Sequence, residues 1–118
     1  MTSEPELLDL GVVDELRESV GGDHAFVKEL VAAYLAETPS YLEAIAAAAL
    51  ANDAAAMVRP AHTLKSSSAA IGAMRLSTVS KELEFAAREG RIDQAAVDEA
   101  KSLWPQTVAS LGAVGLTD

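Results

Sequence analysis

The residue types with the clearest chemistry gather around His62. It stands in the run "AHTLKSSS", with Lys65 three positions on, Ser66 four positions on and Arg59 three positions back. A neutral imidazole nitrogen is a nucleophile toward phosphorus. An exposed imidazole is largely neutral at neutral pH and keeps one lone pair free. On a helix, positions i−3, i+3 and i+4 share its surface. Arg59 and Lys65 would each bring a positive charge to an attached phosphoryl group, and Ser66 a hydroxyl donor. Residues 61–72 hold no Cys, Asp or Glu. The expectation is therefore that no carboxylate beside His62 activates a water, so that a phosphohistidine is not hydrolysed by its own host. The bland alternative is an idle surface histidine, for which a lysine at i+3 is commonplace.

The element that must position these groups is a helix over about 54–71. At about 100° per residue, Met57, Ala61, Leu64, Ser68 and Ile71 fall within a sector of roughly 80°, which marks the buried stripe. His62 lies about 160° from Leu64 by the same count. Ala55, Arg59, Ser66 and Ala69 share its outer face, with Val58 and Lys65 at the flank. Ala55, Ser66 and Ala69 are too short to cover an imidazole, so the ring should stand clear of the wall, and Ala69 leaves space for a partner.

Period 3.6 runs through nearly the whole chain, with no convincing alternation at period two. It predicts a short helix over about 8–20 carrying Leu10, Val13, Leu16 and Val20. "GGD" at 21–23 follows, with Asp23 as N-cap of the next helix. That helix, about 23–51, keeps its stripe of Val27, Leu30, Tyr34, Tyr41, Ile45 and Ala49 in phase across Pro39, so one long kinked element is expected. Asp53 caps the third helix, kinked at Pro60 and stopped at Gly72. A fourth, about 74–89, carries Leu76, Val79, Leu83 and Ala86. A fifth follows Asp93 with Val97, Ala100, Leu103, Trp104, Val108 and Leu111, and a kink at Pro105. Short loops favour antiparallel neighbours. The fold class is all-α: an antiparallel four-helix bundle with a short additional N-terminal helix, one domain over 1–118 with its core at about 8–112.

The 118 residues are half hydrophobic, rich in Ala and Leu, with a net charge of −9. That balance argues against nucleic acid and against an anionic membrane surface. There are no cysteines, hence no thiolate metal site. The start "MTSEPELLDL" lacks a basic, apolar leader, and "AIAAAALA" at 44–51 is too short to span a bilayer. A cytoplasmic monomer is expected. "ESVGGD" lacks the Lys and Ser/Thr of a phosphate-binding loop, so self-phosphorylation from ATP is not expected. His24 reads as exposed and idle, and Glu84 as facing solvent or pairing with a neighbouring helix.

The stretch "AHTLKSSSAAIGAMRL", followed by "LE" at 83–84, resembles the histidine-containing phosphotransfer (HPt) domains of bacterial multistep phosphorelays. Their pattern of His, any residue, Leu, Lys, small residues and Gly is met by His62, Leu64, Lys65, Ser66, Ser67, Ser68, Ala69 and Gly72. "DHAFVKEL" from Asp23, "DAAAM" before the motif and "AREG" after the fourth helix extend the likeness over most of the chain. The resemblance implies that His62 accepts a phosphoryl group from a receiver-domain aspartate and passes it to another receiver. It also implies that Lys65 steadies that group, that a hybrid histidine kinase stands upstream, and that the only metal is magnesium on the receiver. The chain itself would be a carrier without kinase activity. Ser66 stands where many members have Gly, and Ala70 where an Asn is frequent. Val58 and Ala69, with Val12 and Val13 of the first helix, are expected to form the docking patch around His62. The alternative is a helical adaptor that binds receivers or kinases without carrying phosphate.

Overall fold

A computed structural model describes residues 5–117. Residues 1–4 and 118, the ends of the expected domain, lie outside the described residues. Five helices follow one another: α1 (Leu10–Ser19), α2 (His24–Leu50), α3 (Ala54–Ala70), α4 (Met74–Arg88) and α5 (Gln94–Ala113). No strand occurs among the described residues. None of these helices is long and apolar enough to cross a membrane.

The boundaries follow from local chemistry. Asp9, Asp23, Asp53 and Asp93 each accept hydrogen bonds from first-turn amides, so four of the five helices start on an aspartate cap. At the C-terminal ends a six-residue backbone bond closes the turn. Gly22, Asp53, Ala73, Arg91 and Leu116 each donate an amide to a carbonyl five residues back. Gly72 shows why such a turn needs glycine: its φ is +84°, and a Cβ there would lie 2.9 Å from the Asp9 carbonyl oxygen. The Asp9 amide in turn donates to the Gly72 carbonyl at 2.7 Å. The cap of α1 is thus tied to the end of α3.

Helix α3 packs against α4 and α2, and α5 closes the ring against α4 and α2. The connections at 51–53, 71–73 and 89–93 are short and reverse the chain direction between neighbours. Two apolar clusters fill the interior. One joins Ile45, Met57, Ala61, Leu64, Leu76, Val79, Leu83, Val97 and Leu103. The other, under α1, joins Leu8, Val13, Val27, Val31, Tyr34, Ile71, Leu111 and Leu116. Trp104 touches both and meets Tyr34 edge-on, with ring centres 5.6 Å apart.

The stripe expected on α3 is buried residue for residue, and α2 continues unbroken through Pro39. Other faces turn out differently. Leu10 and Val108 are exposed, while Thr38 and Thr107 are fully buried. Each of these threonines donates its hydroxyl at 2.7 Å to the carbonyl four residues back, on Tyr34 and Leu103. A hydroxyl satisfied within its own helix brings no unpaired polar group into the core, so hydropathy alone mislocates it.

Candidate functional site

His62 leaves the outer wall of α3 with its side chain 53% exposed, on the face opposite the buried stripe. Its ring is not unaccompanied. Nδ1 lies 3.0 Å from Oε2 of Glu84 on α4. The expectation that no carboxylate stands beside His62 is overturned. A wheel drawn for α3 alone cannot register a residue 22 positions later on the neighbouring helix. The two helices are pinned close by: Ser77 of α4 donates its hydroxyl to the Lys65 carbonyl at 2.9 Å. That contact brings the Glu84 face of α4 alongside His62.

Glu84 is 94% covered, although it is charged. Its cover comes from partners more than from core. Lys65 Nζ lies 2.7 Å from Oε1. On Oε2 converge the imidazole and Arg88, whose Nε and Nη2 lie at 2.9 and 2.8 Å. Lys65 first, then Arg88 and His62, hold the Glu84 carboxyl down to about 2, against the desolvation that pushes it up. The carboxylate is therefore ionised and can only accept. Nδ1 must carry the proton it donates to Oε2, which leaves the lone pair on Nε2.

Beside the ring lies a shallow depression of about 410 Å³, lined by Val58, Arg59, His62, Thr63 and Arg88. Among the expected site residues, Arg59 and Val58 line it with His62. Lys65 is one-third exposed and occupied with Glu84. Ser66 is exposed but does not line the depression. Ala69 is half-buried two turns along. Of the first-helix residues expected in the docking patch, one is not at the surface. Val13 is 3% exposed and belongs to the core under α1. Val12 is half-buried and lies over Gly72, ten residues from His62 and hence about 15 Å along α3. Leu8 and Val13 plug the end of the bundle under α1.

Sequence reasoning missed Arg88 and Thr63, and it left Glu84 without a task. The spacing of Glu84 and Arg88, one turn apart on α4, was the available signal. It marks a pair without saying what the pair faces. Among the described residues, no group of three or more His, Asp or Glu side chains is placed to hold a metal ion.

A search of curated proteins gives no match. Among solved structures, histidine-containing phosphotransfer protein B from Pseudomonas aeruginosa PAO1 is similar. It is 27% identical, with a TM-score of 0.76 over 86% of this chain and 87% of that one. The profile of the Hpt domain matches residues 29–114, from early α2 to the end of α5. The chain therefore belongs to the Hpt domain family.

Proposed function

We propose that this protein is a phosphocarrier of a two-component phosphorelay. His62 takes a phosphoryl group from the aspartyl phosphate of one receiver domain and yields it to the aspartate of another. The contact between Nδ1 and Glu84 carries this reading, because it decides which nitrogen reacts. The Nε2 lone pair forms the N–P bond as the O–P bond of the acyl phosphate breaks, and that electron pair leaves on the aspartate. No proton needs to move. Nδ1 keeps its hydrogen, the ring becomes positively charged, and the Glu84 carboxylate 3.0 Å away compensates it. Such transfer depends on positioning and charge neutralisation more than on covalent work by the carrier. The magnesium ion and its acidic ligands belong to the receiver.

Glu84 does not make the site a phosphatase. It stands on the Nδ1 side, away from the reacting nitrogen, and a carboxylate that protonates only near pH 2 is a weak base toward water. The slow hydrolysis expected from the sequence is retained on this different ground.

The test is incubation with a phosphorylated receiver domain and magnesium. Label should move to this chain in an acid-labile, alkali-stable form and be lost entirely in His62→Gln. Tight binding with no transferred label would favour an adaptor instead.

A further inference from the structure

We infer that Ser77 is a positioning residue for the transfer. Its hydroxyl, by holding α4 to the Lys65 carbonyl, keeps Glu84 on Nδ1 of His62 and so leaves the reacting lone pair on Nε2. This inference rests on the phosphocarrier reading of His62. Three observations carry it.

The first is the place of the tie. Ser77 and Glu84 stand seven positions apart on α4, so they share one face, about 10 Å apart along the axis. Both are more than nine-tenths covered. Both reach the same residue of α3. The Ser77 hydroxyl donates to the Lys65 carbonyl at 2.9 Å, and the Lys65 ammonium lies 2.7 Å from Oε1 of Glu84. Lys65 is itself about one turn from His62. One stretch of α3 therefore receives both the anchor and the carboxylate.

The second is the kind of contact. Ala61 and Leu64 of α3 share an apolar cluster with Leu76 and Leu83 of α4. Apolar burial is non-directional, so it tolerates a small slide of one helix along the other. A hydrogen bond from an α4 side chain to a backbone carbonyl does not, since it fails beyond about 3.5 Å. A carbonyl oxygen has two lone pairs, so the Lys65 carbonyl can accept Ser77 in addition to its helical bond.

The third is the contrast with Ser80. It lies three positions on, is fully buried, and turns its hydroxyl back to the Leu76 carbonyl of its own helix at 2.8 Å. The two serines are alike in chemistry and both buried. Of the two, Ser77 spans the seam.

The consequence is chemical. Nδ1 and Oε2 are 3.0 Å apart, and a shift of the carboxylate by about 1 Å takes it out of hydrogen-bond reach. The ring then loses the contact that fixes its proton, and the free lone pair is divided between the two nitrogens.

The test compares Ser77→Ala with Ser80→Ala, which delete the same hydroxyl and put the best helix former in its place. Circular dichroism and urea melts confirm that each variant folds. Ring nitrogen shifts of His62 are read on the unphosphorylated chain at about pH 8, where an imidazole is neutral. They should place the proton on Nδ1 in the wild type and in Ser80→Ala, and on both nitrogens in Ser77→Ala. With a phosphorylated receiver domain and magnesium, Ser77→Ala should slow transfer at saturating receiver by about three- to ten-fold, the scale of one hydrogen bond. The half-saturating receiver concentration should not change. In a Glu84→Ala background the same substitution should cost nothing further. Unmoved ring shifts or unslowed transfer in Ser77→Ala, an equal slowing in Ser80→Ala, or a slowing that persists without Glu84 would each overturn the inference while leaving the carrier reading intact. A wild type that takes no label overturns the carrier reading, and the inference with it.

Discussion

Two polar groups sit against α3 in opposite ways. On one side Tyr34 of α2 shares a 2.8 Å hydrogen bond with Ser68, both buried and neutral. On the other, Glu84 of α4 is just as well covered but ionised, beneath Lys65, Arg88 and His62. The tyrosine pair is closed. Each hydroxyl has its partner, the ring packs edge-on to Trp104, and burial pushes the phenol up to about 12. The glutamate cluster is open, because its partners reach water and can be exchanged. A buried neutral pair serves to fasten helices together. A covered charge with replaceable partners can respond when new charge arrives beside it. The same helix carries both, on faces set by the 3.6-residue period.

The sharpest way to break the comparison is Tyr34→Ala. It removes a buried ring against Trp104 and leaves the Ser68 hydroxyl unpaired. Stability should fall by roughly 3–5 kcal/mol in urea unfolding, while the folded fraction still accepts label. Glu84→Gln should do the reverse. Unfolding free energy should drop by only about 1–2 kcal/mol, since the exposed ends of Lys65 and Arg88 return to water and screening limits what the ion pairs contribute. Transfer to His62 should slow by about ten-fold or more, because the carboxylate that balances the cationic ring is gone.

The smallest effect is in the pH dependence, where the two groups separate by sign. Glu84 protonates near pH 2 in the fold and near 4.5 without it. Its contribution is therefore complete above pH 4.5 and lost as the pH falls toward 2. Tyr34 ionises near 12 in the fold and near 10 without it. Its contribution is complete below pH 10 and lost as the pH rises toward 12. Urea midpoints across both ranges should show a flatter acid limb in Glu84→Gln and a flatter alkaline limb in Tyr34→Phe, each leaving the other limb unchanged.

Much of this was legible beforehand, for definite reasons. Aspartates before apolar-periodic runs, and glycines after them, bounded the helices to within about two residues. The wheel of α3 separated Leu64 and Ser68 from His62 because that division needs only the helical period. Burial of Thr38 and Thr107 was not legible, since their hydroxyls are satisfied by their own helices. Burial of Val13, expected in the docking patch, was not legible either, because an excess of apolar side chains does not say which end of a bundle they cover. Glu84 and Arg88 were visible as residues but not as neighbours of His62.

What the sequence by itself determined is therefore local: where helices begin and end, which face of α3 turns inward, and that an imidazole stands on the other. Periodicity and capping act within a few residues, and so they can be read from the chain. The tertiary structure alone decided what surrounds that imidazole. The turn at 71–73, held by Gly72 and the Asp9 amide, together with the Ser77 hydroxyl on Lys65, sets how α4 lies along α3. Only that packing brings a carboxylate 22 residues away to Nδ1 and an arginine 26 residues away to the rim of the site.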